Sequence, residues 1–405
     1  MRFVLCSLGC RANQYEIRAI KRQLEAVGCT EVAEGECADI CIINTCAVTK
    51  SAESSSRNKI RGLAAAHPGA RVVVTGCLAA HNPEELENLE GVTDIYADKE
   101  QLVNYLLPGE SACAFAIDRF DGNTRAFIKI QDGCDNFCSY CIIPYLRGRS
   151  RSRACSDIIQ EARRVVDNGH KEIVITGIDI GDYRDGEKRL ADLIHALDHI
   201  QDLQRVRLSS INPHQVDTRL IDVLLNGRTP CHSLHLVLQS GSNTVLERMR
   251  RPYTRELFLE KVQQLPNFLF TTDIIVGFPG ETDEDFNLTM DIVERVRFLK
   301  VHMFPYSVRP GTRSARWIDT VHHQTIAERK NRLLEKARNI AREVREEYIG
   351  QEMEVLTENT VEGSWRTAQA KNGLPVMVFK QSVKANQLVR VCLDHNGEEA
   401  LFGSV

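Results

Sequence analysis

Phe127-Ile-Lys-Ile-Gln131 runs almost directly into Cys134-Asp-Asn-Phe-Cys138-Ser-Tyr-Cys141, and this juxtaposition decides how the rest of the chain reads. The apolar run has the character of a strand, and the cysteines behind it have the spacing C-x3-C-x2-C. Three thiolates so spaced can hold three irons of a cubane cluster and leave the fourth open. A structural iron–sulfur cluster ordinarily takes four thiolates, so a triad points to chemistry at the open iron. Chance is a poor rival, because 14 cysteines placed at random in 405 residues give this spacing about 0.02 times. A zinc site would have to borrow a fourth ligand, and the sequence has no second C-x2-C pair to supply one.

Upstream of this loop, the apolar runs Arg2 to Leu8, Asp39 to Asn44 and Arg71 to Thr75 read as buried parallel strands. A helix lies between the first two, with Ile17, Ile20, Leu24 and Val27 on one face and Gly28 placed to end it. This is a doubly wound α/β unit. A compositional break at Pro108-Gly109-Glu110 and Asp121-Gly122-Asn123 closes it.

Downstream, six strand-like runs follow: Ala126 to Gln131, Glu172 to Thr176, Arg205 to Ser210, Leu234 to Gln239, Thr272 to Phe278 and Val301 to Tyr306. Amphipathic helices separate them at Ile158 to Val166, Leu190 to Leu197, Leu220 to Leu225, Leu257 to Leu265 and Phe286 to Val296. Six such units predict a partial (β/α)6 barrel with its site at the carboxyl ends of the strands. A charged helix, Ile326 to Tyr348, then gives way to short strands at Met353 to Leu356, Pro375 to Phe379 and Leu388 to Leu393, which fit a small β-barrel. The expected domains are 1–118, 119–348 and 349–405.

Composition narrows the class. Hydrophobic content of 43%, charge of 26% and a net charge of -4 describe a globular chain with no general pull toward nucleic acid. No apolar run approaches the roughly 18 residues of a membrane span, and Met1 to Leu8 lacks the features of a signal peptide. A cytoplasmic location is therefore expected. Reducing conditions there make the cysteines metal ligands or core residues rather than disulfides.

Cys10, Cys46 and Cys77 each end an apolar run. Parallel strands bring their carboxyl ends to one edge, where open α/β sheets bind ligands, so these three could converge. The competing reading makes them small buried residues, as expected of Cys6, Cys29, Cys37, Cys41, Cys113, Cys155, Cys231 and Cys392.

With Tyr140 before its last cysteine, the C-x3-C-x2-C loop resembles that of the radical S-adenosylmethionine enzymes, and nearly the whole chain resembles their methylthiotransferase family. Leu8-Gly-Cys-Arg-Ala-Asn-Gln-Tyr-Glu16, Ile43-Asn-Thr-Cys-Ala-Val-Thr49 and Val74-Thr-Gly-Cys77 carry the likeness at the amino terminus. The resemblance implies that Cys134, Cys138 and Cys141 ligate a [4Fe-4S] cluster that binds S-adenosylmethionine. It implies likewise that Cys10, Cys46 and Cys77 ligate an auxiliary [4Fe-4S] cluster. The tail resembles the TRAM domain. Ala126 to Cys134, Tyr140 to Tyr145 and Arg147-Gly-Arg-Ser-Arg-Ser-Arg153 look most like the branch that places a methylthio group at C2 of N6-threonylcarbamoyladenosine in tRNA. Two other branches act on isopentenyladenosine in tRNA and on an aspartate of a ribosomal protein. The rival of another class is a non-catalytic iron–sulfur electron carrier or RNA-binding protein.

No side-chain acid or base can replace an aromatic C–H by sulfur, so none is assigned here and the chemistry falls to cofactors. Strand ends should line the S-adenosylmethionine site, which makes Gly177, Ser210, Gln239 and Val276 candidate contacts, and the resemblance adds Tyr140 from the cysteine loop. Relatives often have an acidic residue where this chain has Asn212. Candidates for the substrate or RNA are Arg147, Arg149, Tyr306, Arg309, Trp365 and Arg366. The segment from Gln351 to Val405 has five Lys and Arg against seven Asp and Glu, a weak basis for holding phosphate. Expected partners are tRNA, a low-potential electron donor and a sulfur donor the sequence does not identify, with no membrane and a monomeric chain.

Overall fold

A computed structural model describes residues 1–108 and 115–405. Cys113 and the Gly109-Glu110 part of the compositional break lie outside the described residues. The amino-terminal sheet has five strands, Arg2–Ser7, Thr30–Glu31, Ile40–Thr45, Arg71–Gly76 and Asp94–Tyr96. All pair in parallel, with the second strand on one edge and the first, third, fourth and fifth following in that order. Every residue of Ile40–Thr45 is buried, as a strand covered on both faces requires. Helix Arg11–Ala26 covers one face with Ile17, Ile20 and Leu24, and Gly28 at φ +80 turns the chain out of it in the left-handed region.

The central strands are Arg125–Lys129, Glu172–Thr176, Arg205–Leu208, Ser233–His235, Leu269–Val276 and Lys300–Pro305, in two parallel groups of three. Bridges at Val206–Pro230 and Ile211–Leu236 join the groups into one open barrel. The fourth strand is shorter than its apolar run, pairing with its neighbour only over Ser233–His235, and Gln239 at the end of that run takes φ +65 in the left-handed region. Its amide still reaches the Asp273 carbonyl at 2.8 Å. The helices expected between these strands begin two or three residues before their apolar stripes, except Leu190–Asp198, which starts with its stripe. Asp217, Thr254 and Thr282 cap the first turns with side-chain oxygens, and such caps lie outside the hydrophobic period.

Helix His323–Glu346 packs Leu333, Ala337, Ile340 and Val344 into the barrel's core. The last strands, Glu352–Glu362, Trp365–Ala370, Pro375–Phe379, Leu388–Asn396 and Leu401–Ser404, close into a five-stranded barrel. Two of these, Trp365–Ala370 and Leu401–Ser404, have no counterpart among the runs read from the sequence. The small barrel shares its core with the central one through Val355, Ala368 and Val376. It is also tied by Arg205, which donates to the Gln369 carbonyl at 2.8 Å and the Glu354 carbonyl at 3.0 Å.

Two cysteine triads as the candidate active site

The loop after the first barrel strand is built tightly. Gly133 has φ +73, and a Cβ there would lie 2.1 Å from the Arg149 carbonyl oxygen. Ser139 is held from both sides, its amide on the Met249 carbonyl at 3.0 Å and its carbonyl on the Ser314 amide at 2.8 Å. Cys138 is buried, with Cys134 and Cys141 half-buried. Burial, and then the neighbouring Cys138, push the Cys141 thiol up to about 12, and burial pushes Cys134 up to about 11. The thiols therefore gather close enough to oppose one another's ionisation, and a bound cation would reverse that opposition.

Polar groups converge on these sulfurs. Asn136 donates to Cys134 Sγ from its backbone N at 3.5 Å and from Nδ2 at 3.4 Å, and its Nδ2 also reaches Asp179 Oδ2 at 2.6 Å. Asp179 is buried and accepts from Gln215 at 2.9 Å and Asn212 at 3.2 Å. Burial pushes its carboxyl up. Arg251 donates to Cys138 Sγ at 3.1 Å and also bonds Asn212. Hydrogen bonds and positive charge directed at ligating sulfur tune such a site.

The second triad assembles where three parallel strands end. Asn13 Nδ2 ties two of the cysteine loops together by donating to the Leu8 carbonyl at 2.7 Å and the Thr45 carbonyl at 2.9 Å. Ser56, from helix Lys50–Ala66, accepts from the Cys46 amide at 3.2 Å and donates to its carbonyl at 3.0 Å. Gly9 has φ +93, and a Cβ there would come within 2.9 Å of Cys46 Sγ, so only glycine lets these two loops approach. Burial first, then the nearby Cys77 and Cys10, push the Cys46 thiol up. Cys10 is exposed as a residue, yet its thiol sits among protein atoms. That desolvation pushes it up, and Arg147 draws it down ahead of the opposing Cys77.

The donor set of each triad, three sulfurs, fits a cluster with one open position. Among the described residues no three His, Cys, Asp or Glu side chains close around a single metal ion. The two triads are neighbours in space. Cys77 opens helix Cys77–His81, which packs on helix Ile143–Arg147, and the latter begins two residues after Cys141.

The other candidates scatter. Tyr140 packs edge-on against Phe278 at 6.1 Å, and burial, then Cys138, hold its hydroxyl well above the usual range. Gly177 closes on Gln131, whose carbonyl would be 2.9 Å from an added Cβ, so its smallness serves packing. Ser210 is exposed, and Val276 is fully buried in the core. Gln239 Oε1 is buried without a partner, four residues beyond the fourth strand, an acceptor suited to a ligand's N–H or O–H.

Arg147, expected at the substrate, is buried instead on Glu16 at 2.8 Å and Asp132 at 2.9 Å. Arg309 is likewise buried, on Glu53 of helix Lys50–Ala66. Neither is free for phosphate. Trp365, half-buried and outside the small barrel's core, packs against Phe402 at 4.7 Å and the exposed Phe379 at 5.9 Å, and Arg366 directs its guanidinium to the Glu358 carbonyl at 2.7 Å. Arg149 is exposed, over the Phe137 ring and 3.0 Å from Asp135. Tyr306 bonds Ser314 at 2.8 Å. Of the cysteines expected in the core, Cys37 in a loop and Cys392 at an outward strand position are exposed, while Cys6 and Cys29 are half-buried against the amino-terminal core clusters.

Asn13, Glu16, Asn136, Asp179 and Arg251 are site residues that sequence reasoning did not single out. Asn13 and Glu16 lie inside the Leu8–Glu16 run and Asp179 inside a strand-end loop, so position offered a hint. Arg251 offered none, because its place depends on a contact with Cys138 across 113 residues.

Residues 128–293 match the model of the Radical SAM superfamily, and residues 2–98 match that of the Uncharacterized protein family UPF0004. A threonylcarbamoyladenosine tRNA methylthiotransferase MtaB from Chlamydia pneumoniae is 45% identical over 100% of this chain and 98% of its own length. The protein of the same name from Bacillus subtilis is 37% identical over 87% and 84%. A tRNA-2-methylthio-N(6)-dimethylallyladenosine synthase from Desulforamulus reducens is 35% identical over 88% and 84%. Among solved structures, the radical S-adenosylmethionine methyltransferase TsrM from Kitasatospora setae shares the fold, with a TM-score of 0.58 at 13% identity over 77% of this chain and 73% of that one.

Proposed function

The chain belongs to the tRNA methylthiotransferases of the radical S-adenosylmethionine superfamily, and on that premise we propose that it installs a methylthio group at C2 of N6-threonylcarbamoyladenosine beside the anticodon of tRNA. When bound, two [4Fe-4S] clusters and S-adenosylmethionine supply the one-electron chemistry that exchanges an aryl C–H for a C–S bond. The observation that carries the reading is the placement of one cysteine triad against the other through helices Cys77–His81 and Ile143–Arg147. A reaction that activates a carbon at one site and delivers sulfur from another needs them adjacent.

Each residue has a role in this reading. Cys134, Cys138 and Cys141 hold the cluster that takes S-adenosylmethionine, with Asn136 and Arg251 hydrogen-bonding their sulfurs. Cys10, Cys46 and Cys77 hold the auxiliary cluster. Tyr140 walls the first site, Gln239 offers its unpaired oxygen to the cofactor, and Arg149 meets the RNA backbone from its exposed position. The units 1–118, 119–348 and 349–405 divide the work among sulfur delivery, radical generation and substrate holding. No helix among the described residues is long and apolar enough to cross a membrane. We place the enzyme in the cytoplasm as a monomer served by a low-potential electron donor.

The test is nucleoside mass spectrometry of tRNA from cells with and without the gene. Loss of the 2-methylthio derivative of N6-threonylcarbamoyladenosine is expected. Loss of the dimethylallyl counterpart instead would move the chain to the other tRNA branch, and no change in either would reject the proposal.

A further inference from the structure

A buried charge network joins the amino-terminal unit to the barrel. Its centre is Glu16, fully buried, which meets Arg147 at 2.8 Å, Lys129 at 2.7 Å and Lys99 at 3.5 Å. Asp132 completes it, 3.0 Å from Lys129 and 2.9 Å from Arg147. Among the described residues this is three cations against two carboxylates, one positive charge in excess. An excess charge away from water is costly unless an anion stands near it.

Arg147 locates where that anion belongs. Its Nη1 serves Glu16 and Asp132, and its Nη2 bonds Asn13 Oδ1, the same oxygen that lies 3.6 Å from Cys10 Sγ. The Nε–H of Arg147 is buried with no acceptor. Leu146 beside it packs into the cluster of side chains that contains Cys77. The guanidinium is therefore fixed at the amino-terminal triad with one donor unspent. A dicationic cubane core held by three thiolates carries one net negative charge, which complements the excess.

We infer that Arg147 is a positioning residue for the auxiliary cluster, reaching from the barrel side to neutralise the charge gathered by Cys10, Cys46 and Cys77 and to hydrogen-bond the cluster or the sulfur it carries. This rests on the reading of that triad as a cluster site. The same guanidinium anchors the loop behind Cys141, so one side chain sets both the field at the auxiliary cluster and its register against the other. A positive charge close to a cluster favours its reduced form, and a negative charge opposes it.

The experiment uses the full chain carrying Cys134→Ala, Cys138→Ala and Cys141→Ala, reconstituted anaerobically, so that only the auxiliary cluster reports. Its midpoint potential is followed by electron paramagnetic resonance during a redox titration. Arg147→Gln should shift the potential to more negative values and Glu16→Gln to more positive ones. Arg147→Lys should restore most of the first shift, and Arg151→Gln, on an exposed strand nearby, should leave the potential in place. Opposite signs for the two network variants are what a field predicts, whereas loosening of the fold would move both alike. Shifts of one sign, or none, overturn the inference. Where Arg147→Gln takes up no iron, the sign of Glu16→Gln decides alone. A parent chain that itself holds no iron defeats the cluster reading, and the inference falls with it.

Discussion

The Arg251 guanidinium stands 3.1 Å from the Cys138 sulfur and is bound through its other terminal nitrogen to Asn212. Arginine at this position puts a charge-assisted hydrogen bond on a thiolate, and Asn212 links it to Asp179 at 3.2 Å. Position 212 is an amide, and Asp179 supplies a carboxylate to the same network. Arg251→Ala should slow formation of 5′-deoxyadenosine from S-adenosylmethionine by about 10- to 100-fold, the usual cost of losing a partner to a metal ligand. Arg251→Lys should fall between. Equal rates in Arg251→Ala and the parent, at equal iron content, would show that the contact is packing alone.

The two triads should separate by function. Cys138→Ala is expected to abolish cofactor cleavage, whereas Cys46→Ala should preserve cleavage and stop sulfur insertion. Anaerobic assays of 5′-deoxyadenosine and of 2-methylthio nucleoside in the same samples test this. Loss of both activities in both folded variants would contradict the division.

Arg309 and Glu53 form a buried pair across the interface between the barrel's last loop and the amino-terminal unit. Removing one partner of such a pair leaves the other charged and desolvated. Arg309→Ala should lower stability by about 3 kcal/mol, near the lower end of such losses. Arg57 at 3.7 Å remains beside Glu53 to soften the effect. Denaturant titration of the apoprotein measures it, and a change below about 0.5 kcal/mol would be that of an ordinary surface site.

His170 accepts the Phe120 amide on Nε2 at 3.0 Å, so its proton must sit on Nδ1, where it meets the Thr124 carbonyl at 3.1 Å. Burial holds its pKa below the ordinary value. The unfolded chain then takes up a proton that the folded chain refuses, so stability is full above about pH 6.5 and falls as pH drops toward the folded pKa. Unfolding midpoints compared at about pH 7 and about pH 5 should show this fall, with a shallower slope in His170→Gln. Equal slopes would mean that the ring does not carry the effect.

Much of this architecture was legible because its signals are local. The Cys134 loop is written in eight consecutive residues, and Cys10, Cys46 and Cys77 share a place after an apolar run, which a parallel sheet turns into a place in space. Charged residues gave no such guide. Arg147 and Arg309 read as free cations in a basic stretch and a loop, and only folding shows that their partners stand 131 and 256 residues away. Trp365 reads as a substrate-stacking candidate for the same reason, since its companions Phe379 and Phe402 come from other strands. Strand Trp365–Ala370 escaped notice because its sequence, WRTAQA, presents only small side chains to the core.

Iron and sulfide content after anaerobic reconstitution tests the central claim most directly. Two cubanes require about eight irons and eight sulfides per chain. Replacing Cys134, Cys138 and Cys141 together, or Cys10, Cys46 and Cys77 together, should leave about four of each. A parent chain that binds about four, or a set of replacements that removes none, would contradict the account.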